Sequence, residues 1–169
     1  DWLQRAITDQ PSRQLCVAML QIDQFDVVDE TLGAATGDDL IAQVAGHLGR
    51  HLPLGSAAAR TDRSSFCVAF PCASPVDAAF RCAELRDAVR QPVASGGRTM
   101  RLTASVGASF LAEPRGAARS VNEATLGMLE ARRRGGNRFA PYVPDEVAAY
   151  EHVVHKWGAL NEALQYRQL

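Results

Sequence analysis

Several side chains in this chain have the types and spacing to do chemistry, and most gather around one stretch. Ala58-Ala59-Arg60-Thr61-Asp62-Arg63-Ser64-Ser65-Phe66-Cys67-Val68-Ala69-Phe70 reads as strand, tight polar turn and strand. Phe66, Val68 and Phe70 alternate with smaller residues, as a half-buried strand requires. A nearly all-apolar run from Leu15 to Ile22 ends at Asp23. If the two strands are neighbours, Asp23 and the Asp62-Arg63 turn share one sheet edge, and a catalytic domain would hold its chemistry there. Ser64 and Ser65 have no evident His–Asp partner set, so no serine nucleophile is expected. His47 and His51 at i, i+4 and His152 and His155 at i, i+3 each offer two corners of a metal site. Neither pair has a third ligand at useful spacing, and both read as solvated helix faces.

The elements that must position these residues follow in chain order. Trp2, Leu3 and Ile7 share a face of a helix end over residues 1–8, and its abrupt start suggests a piece of a longer protein. Leu15 to Ile22 has the continuous apolarity of a central strand buried on both faces. A short helix over 27–32 stops at Gly33. Leu40, Ile41, Val44 and Leu48 form the apolar face of a helix from about residue 37 to His51, opened by a capping box of Thr36 and Asp39. After the hairpin, Ser74-Pro75-Val76-Asp77 supplies an N-cap, a proline at N1 and an acid at N3 for a helix to about Arg90. Residues 91–97 read as loop and 100–111 as a long strand. Ser120-Val121-Asn122-Glu123 is a second capping box, opening a helix to Arg134 that Gly135-Gly136 ends. Residues 138–143 form a short last strand. Pro144 begins a final helix in which Tyr150, Val153, Trp157, Leu160 and Leu164 make a seam that wants a partner surface, either on another chain or on the domain's own body. This order predicts an α/β (α+β) sandwich with a central, mostly antiparallel sheet of about five strands covered by helices.

Composition excludes several classes of function. The chain has 169 residues, 47% of them hydrophobic and 22% charged, and a formal net charge of −1. No global field drives it onto nucleic acid or a membrane surface, and no apolar run approaches the roughly 20 residues of a membrane helix. The four cysteines, Cys16, Cys67, Cys72 and Cys82, lack CxxC spacing and read as small hydrophobes in a reducing cytoplasm. No secretory leader is evident. Lys156 is the single lysine, so the positive charge is carried by arginine.

The same segments carry a family resemblance. Ile22-Asp23-Gln24-Phe25, Asp29-Glu30-Thr31-Leu32-Gly33 with Gly37-Asp38, Arg60 to Phe66, Thr103-Ala104-Ser105-Val106-Gly107, and Ala131 to Arg138 follow the order they have in the GGDEF domain of diguanylate cyclases. The chain resembles that family over roughly Trp2 to Tyr142. The resemblance implies a nucleotidyl-cyclase-like palm fold, with a degenerate GGDEF domain over 1–143 that lacks the leading DxLTGLxNR stretch. It also implies that 144–169, ending EALQYRQL, is a helix linking this domain to a following EAL phosphodiesterase domain.

The family condenses two GTP into cyclic di-GMP using divalent metals, hard cations that take oxygen ligands and neutralise the triphosphate. Carried over position by position, its metal-binding aspartate falls on Gln21, its carbonyl ligand on Ile22, and the acids of its signature on Ser64 and Ser65. Asp62 and Arg63 stand where the signature has glycines, so only Phe66 survives from it. The resemblance assigns a phosphate-contacting lysine to Asp26, a guanine-binding asparagine to Asp29 and a guanine-binding aspartate to Asp38. Near the C-terminal glycines, a phosphate-contacting lysine and arginine fall on Arg132 and Gly136. Asp38 equally suits a helix N-terminus, and Arg132-Arg133-Arg134 equally suits a helix's last turn. The family's inhibitory RxxD motif falls on Pro53 to Ser56 and is absent.

A non-catalytic domain is therefore expected, with no catalytic residue, no metal and no cofactor, and with vestigial nucleotide contacts at Asp29, Asp38 and Arg132. It would be a regulatory, signal-transmitting or dimerisation module in a cyclic di-GMP protein of GGDEF–EAL type, such as those that regulate type IV pili and motility. Its expected partners are a C-terminal EAL domain of the same chain, a second copy and a signalling protein, with no nucleic acid and no membrane insertion. In one alternative it binds GTP and tunes the downstream EAL phosphodiesterase. In another, Asp23 and Asp62 hold a displaced metal, which needs a register shift in the turn.

Overall fold

Leu15–Ile22 forms β1. In the structure, a computed structural model that describes residues 14–111 and 116–143, every residue of this strand except Gln21 is buried. A strand that is apolar on both faces needs neighbours on both sides and cover above and below. β3 (Ser65–Pro71) pairs antiparallel with one side of β1, and β6 (Ala104–Leu111) pairs antiparallel with the other. β2 (Ala57–Arg60) extends the sheet antiparallel beyond β3, and β7 (Phe139–Pro141) runs parallel to β6. The result is a five-stranded mixed sheet in the order β2-β3-β1-β6-β7.

Side chains alternate across β1, so each face builds its own core. Cys16, Ala18 and Leu20 point to a layer made by α1 (Phe25–Leu32), α2 (Ala34–His51) and α3 (Pro75–Val89), where Leu40, Val44, Phe70 and Leu85 pack. Val17 and Met19 point the other way, to Ala124 and Met128 of α4 (Ala117–Arg133). The α+β layering and the central strand thus match the pattern of the sequence. All four cysteines are free and buried in these cores.

Some boundaries differ from expectation. The region expected to be loop and the start of a long strand instead folds as a hairpin, β4 (Val93–Ser95) and β5 (Arg98–Met100), and β6 begins only at Ala104. Gly96 and Gly97 both have positive φ, which suits a two-residue hairpin turn. The amide of Gln43 docks this hairpin on α2: Ala94 N donates to its Oε1 (2.9 Å) and its Nε2 donates to Ala94 O (2.7 Å). Neither Thr36 nor Ser120 caps a helix. Gly33 and Gly116 interrupt the chain nearly a turn earlier, so α2 and α4 begin there and enclose both would-be boxes. The Ser74 cap does form, with Asp77 N donating to its Oγ at 3.1 Å. The expected helices over 1–8 and 144–169 lie outside the described residues. Among the described residues, no helix is long and apolar enough to cross a membrane.

Candidate functional site

Asp23 and the Asp62-Arg63 turn do meet at one end of the sheet. Gln21 at the end of β1 is in register with Ser65 on one side and Ser105 on the other. Ile22 N donates to Ser64 O at 2.9 Å, which fixes the turn beside the end of β1.

Asp23 is fully engaged. It accepts from Thr103 Oγ1 (2.7 Å), Ser105 Oγ (2.7 Å) and the backbone N–H of Asn137 (2.9 Å). It thereby ties the end of β1 to the start of β6 and to the glycine loop that leads into β7. Next to it, Gln21 Oε1 accepts from Arg132 at 2.7 Å. An amide and a guanidinium thus face each other at the position the resemblance gives to a metal-binding carboxylate. Asp62 turns inward, accepting from Ser64 N at 2.8 Å, an Asx-type turn contact. Arg60 clamps the same turn from outside, donating to the carbonyls of Asp62 (2.9 Å) and Arg63 (2.7 Å). Ser65 is buried within β3, and Phe66 is buried in the core. The displaced-metal arrangement of Asp23 with Asp62 finds both carboxylates committed to other donors.

Arg63 reaches away from the turn into a recess between α1 and α2. Its Nε and one terminal nitrogen engage both carboxylate oxygens of Asp29, the latter at 2.8 Å. Its other terminal nitrogen donates to Asp38 Oδ1 at 3.1 Å, and a further N–H reaches Ala34 O at 3.1 Å. The guanidinium beside Asp29 holds that carboxyl below its ordinary range, and the same pairing raises Arg63. The approach depends on Gly37, because a Cβ there would lie 1.9 Å from Asp29 Oδ1 and 3.3 Å from the Arg63 guanidinium. Asp29 and Asp38 are therefore brought together on an internal cation. Arg132 stands apart from them on Gln21.

The remaining candidates do not assemble. His51 directs Nδ1 to His47 O at 2.8 Å and its other nitrogen to Gln91 at 3.3 Å, so the pair does not converge. Burial holds His47 below its ordinary range. Among the described residues, no group of three or more histidine, cysteine, aspartate or glutamate side chains could hold a metal ion. Asp26 is exposed in the first turn of α1. The role of Arg63 could not be read from the sequence. Asp29 and Arg63 were each recognisable as departures from the family pattern, and only the fold makes them one contact.

The family model described as "Diguanylate cyclase, GGDEF domain" matches residues 2–138. The bifunctional diguanylate cyclase/cyclic di-GMP phosphodiesterase MucR of Pseudomonas aeruginosa is 25% identical over 99% of this chain and 24% of its own length. The chain spans between 12% and 42% of the length of the curated relatives it matches. Among solved structures, the GGDEF domain of DgcB from Caulobacter crescentus, in complex with c-di-GMP, is 26% identical with a TM-score of 0.76. That match covers 84% of this chain and 86% of that one. The FimX GGDEF domain from Pseudomonas aeruginosa has a TM-score of 0.73 at 23% identity, covering 81% and 87% of the two chains, a likeness of fold.

Proposed function

The chain belongs to the diguanylate cyclase GGDEF family, and we propose that within it the domain is a non-catalytic regulatory module of a cyclic di-GMP signalling protein. The observation that carries this reading is the Gln21–Arg132 contact beside a turn that offers Ser64 and Ser65. Joining two GTP through a 3′-hydroxyl requires divalent cations against a tetra-anionic nucleotide, and such cations are bound by carboxylates. At this end of the sheet an amide oxygen is already taken by a cation, and the nearby acids Asp23 and Asp62 accept protein donors. A second positive charge would have to displace Arg132 without gaining an anion.

On this reading the domain is a rigid body that transmits signals or dimerises. Its partners would be an EAL domain beyond residue 169, joined by the helix expected over 144–169, or a signalling protein. The role of a degenerate receptor like FimX, and a place in the cytoplasm, belong to the same proposal. The alternative, a GTP-binding domain that tunes an EAL phosphodiesterase, needs Asp29 and Asp38 open to a base, and Arg63 holds both.

The test is incubation of the purified chain with GTP and Mg²⁺ or Mn²⁺, with product read by chromatography and binding by titration calorimetry. Neither cyclic di-GMP nor a metal-dependent binding heat is expected. Turnover would overturn the reading, and metal-dependent GTP binding without turnover would install the alternative.

A further inference from the structure

We infer that the recess between α1, α2 and the hairpin turn is a guanidinium site occupied in cis by Arg63, an internal ligand that holds it shut. The chemistry of the walls carries this. The groups that meet Arg63 are all acceptors, both carboxylate oxygens of Asp29, Asp38 Oδ1 and the carbonyl of Ala34, with Arg60 as a second guanidinium 3.9 Å from Asp38 Oδ1 at the rim. A guanidinium carries only donors, five N–H groups in a planar fork, and it meets a carboxylate bidentately. Guanine's N1–H and N2–H can fork onto one carboxylate, but its O6 is an acceptor, so it offers fewer donors than a guanidinium to the oxygens gathered here. An ammonium would supply charge but not the planar fork.

The site is also shaped for its occupant. Gly37 is buried, and its missing Cβ is the space in which Asp29 turns toward Arg63. The occupant is tethered to the site through the turn that Arg60 clamps at two carbonyls. A ligand held this way has an effective concentration of millimolar or more, so a free competitor of modest affinity does not displace it. The consequence is an autoinhibitory contact. The hairpin turn is pinned to α1 and α2, and the acceptors of the recess are already occupied by Arg63 whatever the nucleotide supply. This deepens the proposed reading of the same recess, and its test does not depend on cyclase activity.

The test is Arg63→Ala in the full chain, followed by thermal unfolding in methylguanidinium chloride, methylammonium chloride or GTP with MgCl₂. The variant is expected to melt lower than the parent and to recover saturably in millimolar methylguanidinium. No recovery is expected in methylammonium at equal ionic strength, nor any with the parent. Adding Gly37→Ala, which drives Asp29 out of the recess, should abolish the recovery. Equal recovery in both salts would reduce the effect to charge screening and overturn the inference, as would no recovery at all. Stabilisation of the variant by GTP in preference to methylguanidinium would also overturn it, whether or not the domain is a cyclase. Should the variant fail to fold, proton exchange at Arg63 Nε in the parent decides. A slowly exchanging, resolved signal is expected, and exchange at the rate of a free arginine overturns the inference.

Discussion

Replacing Asp23 by alanine distinguishes a structural carboxylate from a cation ligand, and the expected size of the effect follows from its contacts. Three donors lose their acceptor: the hydroxyls of Thr103 and Ser105 and the backbone N–H of Asn137. Asn137 is exposed and Thr103 half-exposed, so each can turn to water at a net loss of about 1 kcal/mol or less. Ser105 is fully buried, and stranding its hydroxyl costs about 1–2 kcal/mol. The sum is about 3 kcal/mol. For a chain of this length each kcal/mol moves the melting temperature by about 2–4 °C, so Asp23→Ala should melt roughly 6–12 °C below the parent.

Asparagine at this position should be far milder. Its carbonyl can keep Thr103 and Asn137, and its amide can donate to the Ser105 hydroxyl, leaving a loss of about 1 kcal/mol. Calorimetry in EDTA and in Mg²⁺ provides the assay. A structural acid gives the same large loss in both buffers, with alanine much worse than asparagine. A cation ligand behaves otherwise: without metal its charge is unneutralised, so removing it leaves stability unchanged or raised, and both substitutions erase any stabilisation by Mg²⁺. An alanine variant within about 2 °C of the parent in EDTA would refute the reasoning.

Further predictions follow from packing and charge elsewhere in the domain. Arg133 and Arg134 hold the Glu130 carboxyl at about 2 against an ordinary 4.5. Its folded value is depressed, so its stabilisation is fully present above about 4.5 and is lost as pH falls through about 2. The stability gap between the parent and Glu130→Gln, measured by urea unfolding, should therefore be constant from pH 7 to about 5 and close toward pH 2. A Cβ at Gly107 would lie 1.9 Å from Met128 N and 2.2 Å from Ala124 O, backbone atoms of α4 that no rotamer change can move. Gly107→Ala should lift α4 off β6 and destabilise by about 3 kcal/mol or more, read by the same unfolding experiment. A cavity of about 260 Å³ lies between α2 and the β2–β3 edge, lined by Ile41, Ala45, Leu48, Ala58, Phe66 and Val68. Ala58→Val adds two methyl groups toward it on a strand that favours branched residues, and should raise stability by about 1 kcal/mol.

The parts of the fold legible in the sequence were those set by local rules. The nearly continuous apolarity of Leu15 to Ile22 reads as a strand buried on both faces, and Ser74-Pro75 as the opening of a helix. The misplaced starts of α2 and α4 have one cause. A serine or threonine three residues before an acid has the form of a box anywhere, and it caps only where the preceding chain is not already helical. Gly33 and Gly116 had set the start nearly a turn earlier. At the site, the neutral residues Gln21, Ser64 and Ser65 were visible as types. The pairing of Arg63 with Asp29 spans 34 residues of chain and two helices, and no periodicity reports a contact of that kind. Glu123 shows the same limit, since its bond to the Ser109 hydroxyl at 2.6 Å joins α4 to β6.

The contacts at this end of the sheet form two complementary pairs, which bears on how the domain can work. A site built to bind a metal nucleotide carries acids that repel one another until the cation arrives, and that strain makes its stability depend on ligand. Here the positions in question are satisfied from within, Gln21 by Arg132 and Asp29 with Asp38 by Arg63. Substituting one member of either pair alone would leave a carboxylate or a guanidinium without its partner. The paired arrangement is therefore more stable than either half, and it ties the turn, α1 and α2 together. On the proposed reading, the domain keeps the same shape at any GTP concentration, and whatever it passes to a neighbouring domain enters through a protein surface or a linker and not through this recess.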